Sequence, residues 1–137
     1  MALLKQTAFT FADAPLDWPA DILAELRVND RNGYVGQLLL AETERVRVWS
    51  TKLAPRERLP FHRHVLDYFL TALEAGRARS RYGDGAVRFY EYTVGETIDL
   101  RFSAGESLIH DLTNVGDAPI SFITVEFRRS ANTPLKL

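Results

Sequence analysis

The sequence predicts an all-β fold, an antiparallel sandwich or a closed barrel. Three observations lead there. From Tyr34 onward apolar residues recur with period two, the runs are short, and Gly, Asp and Pro punctuate them at near-regular intervals. The one helical pattern lies ahead of this region, which excludes a helical bundle.

Residues 1–35 read as an irregular N-terminal extension carrying Pro15, Trp18 and Pro19. A short helix is predicted from Pro19 to Arg27. Proline suits a first helical turn, where its missing N–H costs nothing, and Ile22, Leu23 and Leu26 share one face. Val28 to Gly33 is turn chemistry. Residues 36–129 read as the barrel. Strand runs are predicted at Tyr34–Ala41, Arg45–Leu53, Leu59–His64, Tyr68–Leu73, Arg77–Tyr82, Val87–Val94, Thr97–Phe102, Leu108–Leu112 and Ile120–Arg128. Glu74-Ala75-Gly76, Gly83-Asp84-Gly85, Gly95-Glu96, Ala104-Gly105-Glu106 and Gly116 to Pro119 separate several of them. Gly83-Asp84-Gly85 is a hairpin turn rather than a phosphate loop, because no helix follows it. Residues 130–137 read as a flexible tail.

A length of 137 residues suits one domain with a core of its own. The absence of cysteine removes any disulfide framework or thiolate metal site and fits a reducing compartment. Seventeen basic against 18 acidic residues give a net charge of −1, without the basic excess of a nucleic-acid surface. The longest apolar runs, such as Leu38 to Ala41, fall far short of the ~20 residues of a membrane span. Met1 to Thr10 has one lysine and no long apolar stretch, so no secretory leader is expected. The expectation is a cytoplasmic protein with no nucleic-acid or membrane partner.

The chain has three histidines, and they occupy two places. In Phe61-His62-Arg63-His64, strand geometry points His62 and His64 to one side and Arg63 to the other. His110 opens His110-Asp111-Leu112-Thr113-Asn114 on a later strand. Two imidazoles side by side are half a metal site, and neutral imidazole suits zinc, iron, copper, nickel and manganese to different degrees. The competing readings are a solvated histidine pair and a buried His110 satisfied by a backbone carbonyl.

These residues resemble the cupin superfamily, whose motifs read G-x5-H-x-H-x(3,4)-E-x6-G and G-x5-P-x-G-x2-H-x3-N. His62, His64 and Gly76 match the first, and Gly105, His110 and Asn114 the second. The similarity runs from Arg45 to Phe127. It implies a cupin-type double-stranded β-helix, a jelly-roll barrel, with a metal inside it on His62, His64 and His110. The chain departs from the pattern in four places. Arg56 stands for the leading glycine, with the turn carried by Pro55 to Pro60. Tyr68 or Phe69 fills the glutamate slot, and Asp67, one place early, is the one carboxylate nearby. The second motif lacks its proline, and Gly105 stands four residues clear of His110. The wording H-R-H-x-x-D-Y is similar to small cupins of β-alanine breakdown.

The resemblance implies one divalent transition metal ion, Fe, Mn, Ni or Zn, with positions open to water, dioxygen or substrate. Among cupins, three-histidine iron sites support dioxygenase chemistry and other metals support isomerase or lyase chemistry. The expectation is therefore a metal-dependent enzyme, dioxygenase-like, acting on a small polar or anionic metabolite. The alternative is a non-catalytic module that binds a small molecule or metal and regulates a partner; a metal-free cupin with vestigial histidines is the third. Tyr68 is the catalytic candidate, able to hydrogen-bond a bound oxygen, and the competing reading is that it packs in the core. A one-residue shift turns a strand side chain to the opposite face, so Asp67 is not expected to coordinate. Arg45, Arg47 and the alternating Arg77, Arg79 and Arg81 read as solvated outer faces. Trp18 and Trp49 read as core or interface aromatics. The apolar N-terminal zone, with Phe9, Phe11, Leu16, Trp18, Ile22, Leu23 and Leu26, exceeds what one barrel end needs, so a homodimer is expected.

Overall fold

Nine strands follow one helix in the computed structural model, which describes residues 18–137. The helix, α1, spans Ala20–Val28, and the strands are β1 Leu38–Glu42, β2 Val46–Leu53, β3 Arg58–His64, β4 Tyr68–Ala72, β5 Gly76–Arg81, β6 Val87–Tyr92, β7 Thr97–Leu100, β8 Leu108–Asn114 and β9 Ile120–Phe127. Each predicted run yields a strand. They form two antiparallel sheets, in the order β1-β2-β9-β4-β7 and β3-β8-β5-β6. The alternation that predicted strands also builds the interior. Trp49, Thr51 and Leu53 are buried on one side of β2, and Leu53 packs with Tyr68, Ala72, Tyr82, Leu108, Ile120 and Phe122 in one core.

The first strand begins later than predicted. Gly36 lies so close to Trp49 that an added Cβ would stand 2.6 Å from the Trp49 Cβ, which leaves no room for strand side chains there. Tyr34 instead packs edge-on to Trp49, and Val35 enters the barrel. β8 runs two residues past its predicted end because Asn114 pairs in both directions. Its N–H donates to the Glu57 carbonyl and its own carbonyl accepts from Arg56. Arg47, read as solvated, is buried. It shares the inward side of β2 with Trp49, and its Nε donates to Glu42 at 2.7 Å. Arg81 is likewise not on an open face, since it pairs with Asp111.

Pro19 flanks the N-terminus of α1, its carbonyl accepting from Ile22 and Leu23, and the helix packs Leu26, Ile22 and Leu23 with Trp18 against Phe61 and Ile109. These apolar residues thus cover the outer face of the chain's own β3 and β8; Phe9, Phe11 and Leu16 lie outside the described residues. The segment after α1 seals the free edge of β3. Asn29 and Asn32 amides donate to the Phe61 carbonyl, and Arg63 N–H donates to the Asn32 carbonyl at 2.7 Å. An edge covered in this way cannot recruit another strand. Residues 130–137 form no helix or strand, yet Asn132 donates to the carbonyls of Val65, Ser103 and Glu106, and Leu135 is buried.

Two motif positions gain physical reasons. Gly76 sits where a Cβ would lie 2.2 Å from Cγ2 of the buried Ile120, so only glycine fits. Arg56 stands where the resembled motif has glycine, and it adopts φ 71°. With Pro55 before it and the Glu57 N–H returning to the Ala54 carbonyl at 2.9 Å, the turn has the type II pattern that wants glycine third. A left-handed non-glycine residue costs about 1–2 kcal/mol, partly offset by glycine's extra chain entropy of roughly 0.5–1 kcal/mol. Arg56→Gly is therefore expected to raise the urea midpoint by the equivalent of about 0.5–1 kcal/mol; a lowered midpoint would contradict this account of the turn.

Candidate metal centre

β3 and β8 lie side by side with His62 directly opposite His110. His64 follows two residues on, on the same inward side, and all three rings are buried. The register slips between Leu59 and His62, where β3 carries one extra residue. Pro60 occupies this bulge, a place where a missing N–H breaks no ladder bond. The bulge has a purpose for the interior. Strict alternation from Leu59 would turn His62 away, whereas with the extra residue both Leu59 and His62 line the same cavity. It also turns the Pro60 carbonyl back to His62, whose Nδ1 lies 2.7 Å from it. Nδ1–H donates to that carbonyl, so the lone pair of Nε2 remains free for a metal.

The three ligand atoms lie within 4.8 Å of one another, and Nε2 of His64 and of His110 are 3.3 Å apart. Two nitrogens at about 2.1 Å from one ion stand roughly 3.0–3.4 Å apart at octahedral to tetrahedral angles. The pair already has that spacing. Nδ1 of His64 and of His110 have no hydrogen-bond partner among the described residues. Stacking orients these two rings instead: Tyr68 covers His64 at 4.2 Å between centroids, and Tyr82 covers His110 at 5.3 Å. Burial holds all three imidazoles below their ordinary pKa. His62 is brought down to about 4, and His64 and His110 lie well below the usual value, with their neighbouring imidazoles adding to the effect. Neutral rings keep their lone pairs, which is what a metal requires.

The sheet is braced from outside. Asp111, adjacent to His110 but facing the other way, is fully buried. It accepts from Arg58 Nε at 2.8 Å, from the Arg81 N–H at 2.7 Å and from Arg81 Nε at 3.0 Å, tying β3, β8 and β5 together. Arg58 also grips both carboxylate oxygens of Glu25 on α1. A charge-assisted network of this kind is strong because every buried charge is paired.

Among the described residues, the cluster contains no carboxylate. Asp67 is spent elsewhere: its Oδ1 accepts from the Phe102 N–H at 2.8 Å, and its own N–H donates to Ser130 Oγ. Tyr68 lies with its ring on His64. Burial raises its phenol above the ordinary value, and the hydroxyl has no partner among the described residues. Between the triad and the opposite sheet lies a cavity of about 30 Å³, lined among others by the three histidines, Ser80, Leu70 and Thr124.

Sequence reasoning missed the interior partners of the triad. Tyr82 and Ser80 are legible only once Ala78 and Ser80 of β5, and Tyr82 just past its end, are known to face inward. It also missed Glu126, which is 2% exposed on the inward side of β9 and accepts from Trp49 Nε1 at 2.7 Å. Glu126 stands directly across from Tyr68 in the ladder.

No protein-family model matches the sequence, and no curated protein matches it. Solved structures share its architecture. A cupin domain from Bordetella pertussis superposes with a TM-score of 0.58 at 22% identity, covering 71% of this chain and 95% of its own. A conserved protein with a double-stranded β-helix domain from Klebsiella pneumoniae gives 0.53 at 20% identity, covering 72% and 82%. An RmlC-like cupin family protein from Methanocaldococcus jannaschii gives 0.50 at 20% identity, covering 65% and 75%. At these identities the likeness establishes the fold: a small, single-barrel cupin architecture, as the motif resemblance implied.

Burial raises the Glu126 carboxyl to about 7, against the opposing pull of the Trp49 hydrogen bond and the Arg47 charge. The folded state then holds this proton more tightly than the unfolded state does. Its contribution is fully present below the unfolded value near 4.5 and is lost as pH rises through about 7. The loss amounts to at most about 3 kcal/mol at one pKa unit per 1.36 kcal/mol. Glu126→Gln, which can still accept from Trp49, is expected to stabilise the protein at pH 8 and change little at pH 5. Urea unfolding at the two pH values checks this, and an equal effect at both would contradict it.

Proposed function

We propose that this protein is a metal-dependent enzyme that holds one divalent transition metal ion on His62, His64 and His110 and acts on a small polar or anionic metabolite. The observation that supports it is the convergence of three buried, neutral imidazoles at metal-bridging spacing inside an otherwise largely apolar barrel. Such a site has no evident structural purpose, because burying three polar rings costs stability that apolar residues would not.

The donor set favours metals that accept imidazole, iron, zinc and nickel among them. Three neutral donors cancel none of the ion's double charge, so an anionic oxygen ligand is attracted more strongly than it would be beside a carboxylate. A bound ion would supply Lewis acidity toward such a ligand and, as iron, electron transfer to dioxygen, which is the dioxygenase-like reading. The chain's own residues do the rest. Tyr68 and Tyr82 fix the aim of His64 and His110 by stacking, Pro60 fixes the tautomer of His62, and the barrel wall keeps bulk water out. Tyr68 does not act as a base, because burial keeps its phenol protonated; its part is to hold the His64 ring.

Elemental analysis of untagged protein is expected to give about one divalent ion per chain. His62→Ala, His64→Ala or His110→Ala should each lower metal affinity by at least about tenfold, since no other imidazole or thiolate exists to replace the lost ligand. The iron-loaded protein should consume dioxygen with some member of a panel of small carboxylates. Full loading of the His62→Ala, His64→Ala double variant would sink the assignment.

A further inference from the structure

Ser80 is fully buried and lines the cavity, and its hydroxyl has no hydrogen-bond partner among the described residues. Of the hydroxyls that line the cavity among the described residues, it is the one that is fully enclosed and still without a partner. Its place is specific. Ser80 lies on the inward face of β5, two residues before Tyr82, which follows the end of the strand, forms the bridge to His110 and stacks on its ring. A buried hydroxyl without a partner is costly to keep when alanine would fill nearly the same space. The cost is explained if the partner arrives with a ligand.

Size narrows the ligand. The cavity of about 30 Å³ has room for two or three water-sized groups. Its remaining walls are largely apolar, with Leu59, Leu70, Ile98 and Phe122 facing the histidines. Beyond the triad and Ser80, the polar side chains that line it are Thr51, Thr124, Tyr90 and Tyr92, and of these hydroxyl residues Ser80 lies on the strand that leads directly to Tyr82 and His110.

We infer that Ser80 is a specificity-determining residue that donates a hydrogen bond to a very small oxyanion of two or three heavy atoms, such as a one-carbon carboxylate, held at the triad. This rests on the reading of the triad as a metal site and deepens it by naming the ligand class. One ligand oxygen faces the histidines, and the other accepts from Ser80. The narrow pocket excludes anything as large as an aromatic acid.

The test uses full-length protein loaded with cobalt(II), whose visible absorption reports ligands at the site. Formate and benzoate are the probes, titrated into wild type and Ser80→Ala. The expected result is saturable binding of formate to wild type and no spectral change with benzoate at concentrations where formate saturates. In Ser80→Ala, formate should bind about tenfold more weakly or worse, the scale of one hydrogen bond to a charged acceptor, with cobalt affinity within about twofold of wild type. The variant's melting temperature should be unchanged or higher, because the lost hydroxyl had no protein partner. Unchanged formate affinity in Ser80→Ala would overturn the inference while leaving the metal site standing, as would benzoate binding as tightly as formate. A marked drop in melting temperature would also overturn it, by showing that the hydroxyl serves the fold. Failure of wild type to bind cobalt would overturn the metal reading and this inference together.

Discussion

Three side chains can meet at one point only if the strands that carry them hold their register to the residue, and here that demand falls on the pairing of β3 with β8. His62 stands opposite His110, and a slip of one residue would turn either ring out of the barrel. The structure spends much of its specific chemistry on this pairing. The Pro60 bulge sets the phase of β3, and Asp111 ties β8 to Arg58 on one side and Arg81 on the other. At the far end Asn114 closes the same ladder. Its amide donates to the Leu53 and Ala118 carbonyls, and its Oδ1 accepts from the Gly116 N–H.

The helix and the strap behind it follow from the same constraint. β3 is an edge strand, and the ligand-bearing strand of a sheet cannot be left free to pair with another chain. Asn29, Asn32 and Asp30 occupy that edge through side chains and carbonyls, while α1 covers the outer face and passes Glu25 to Arg58. The inner face is buried, and burial keeps the histidines neutral and the phenols protonated. One environment therefore prepares imidazoles whose lone pairs can bind a metal and phenols that keep their protons.

Much of this was legible in the residues. Period-two runs broken by Gly, Asp and Pro are a property of each strand and its turns, so all nine strands could be placed from local pattern, and H-x-H on a strand declares its own geometry. What could not be read depends on the two sheets meeting. Arg47 looks like a surface residue until Trp49 on the same side of β2 proves to be in the core. Glu126 and Ser80 have no local signal, because their burial is decided by strands distant in sequence. Asp67 was the carboxylate nearest the motif in sequence, yet the buried carboxylate of the interior, Glu126, comes from the last strand. The left-handed turn at Arg56 was hidden because the residue that adopts it is not glycine.

The central claim is that the barrel presents three imidazoles and no carboxylate of its own to one ion. Metal-edge X-ray absorption of the zinc- or cobalt-loaded protein measures that directly, since imidazole rings leave a distinctive outer-shell scattering pattern. The account predicts three imidazole nitrogens at about 2.0–2.1 Å, with the remaining positions filled by solvent or a small oxygen ligand. A spectrum fitted by one or no imidazole would contradict it.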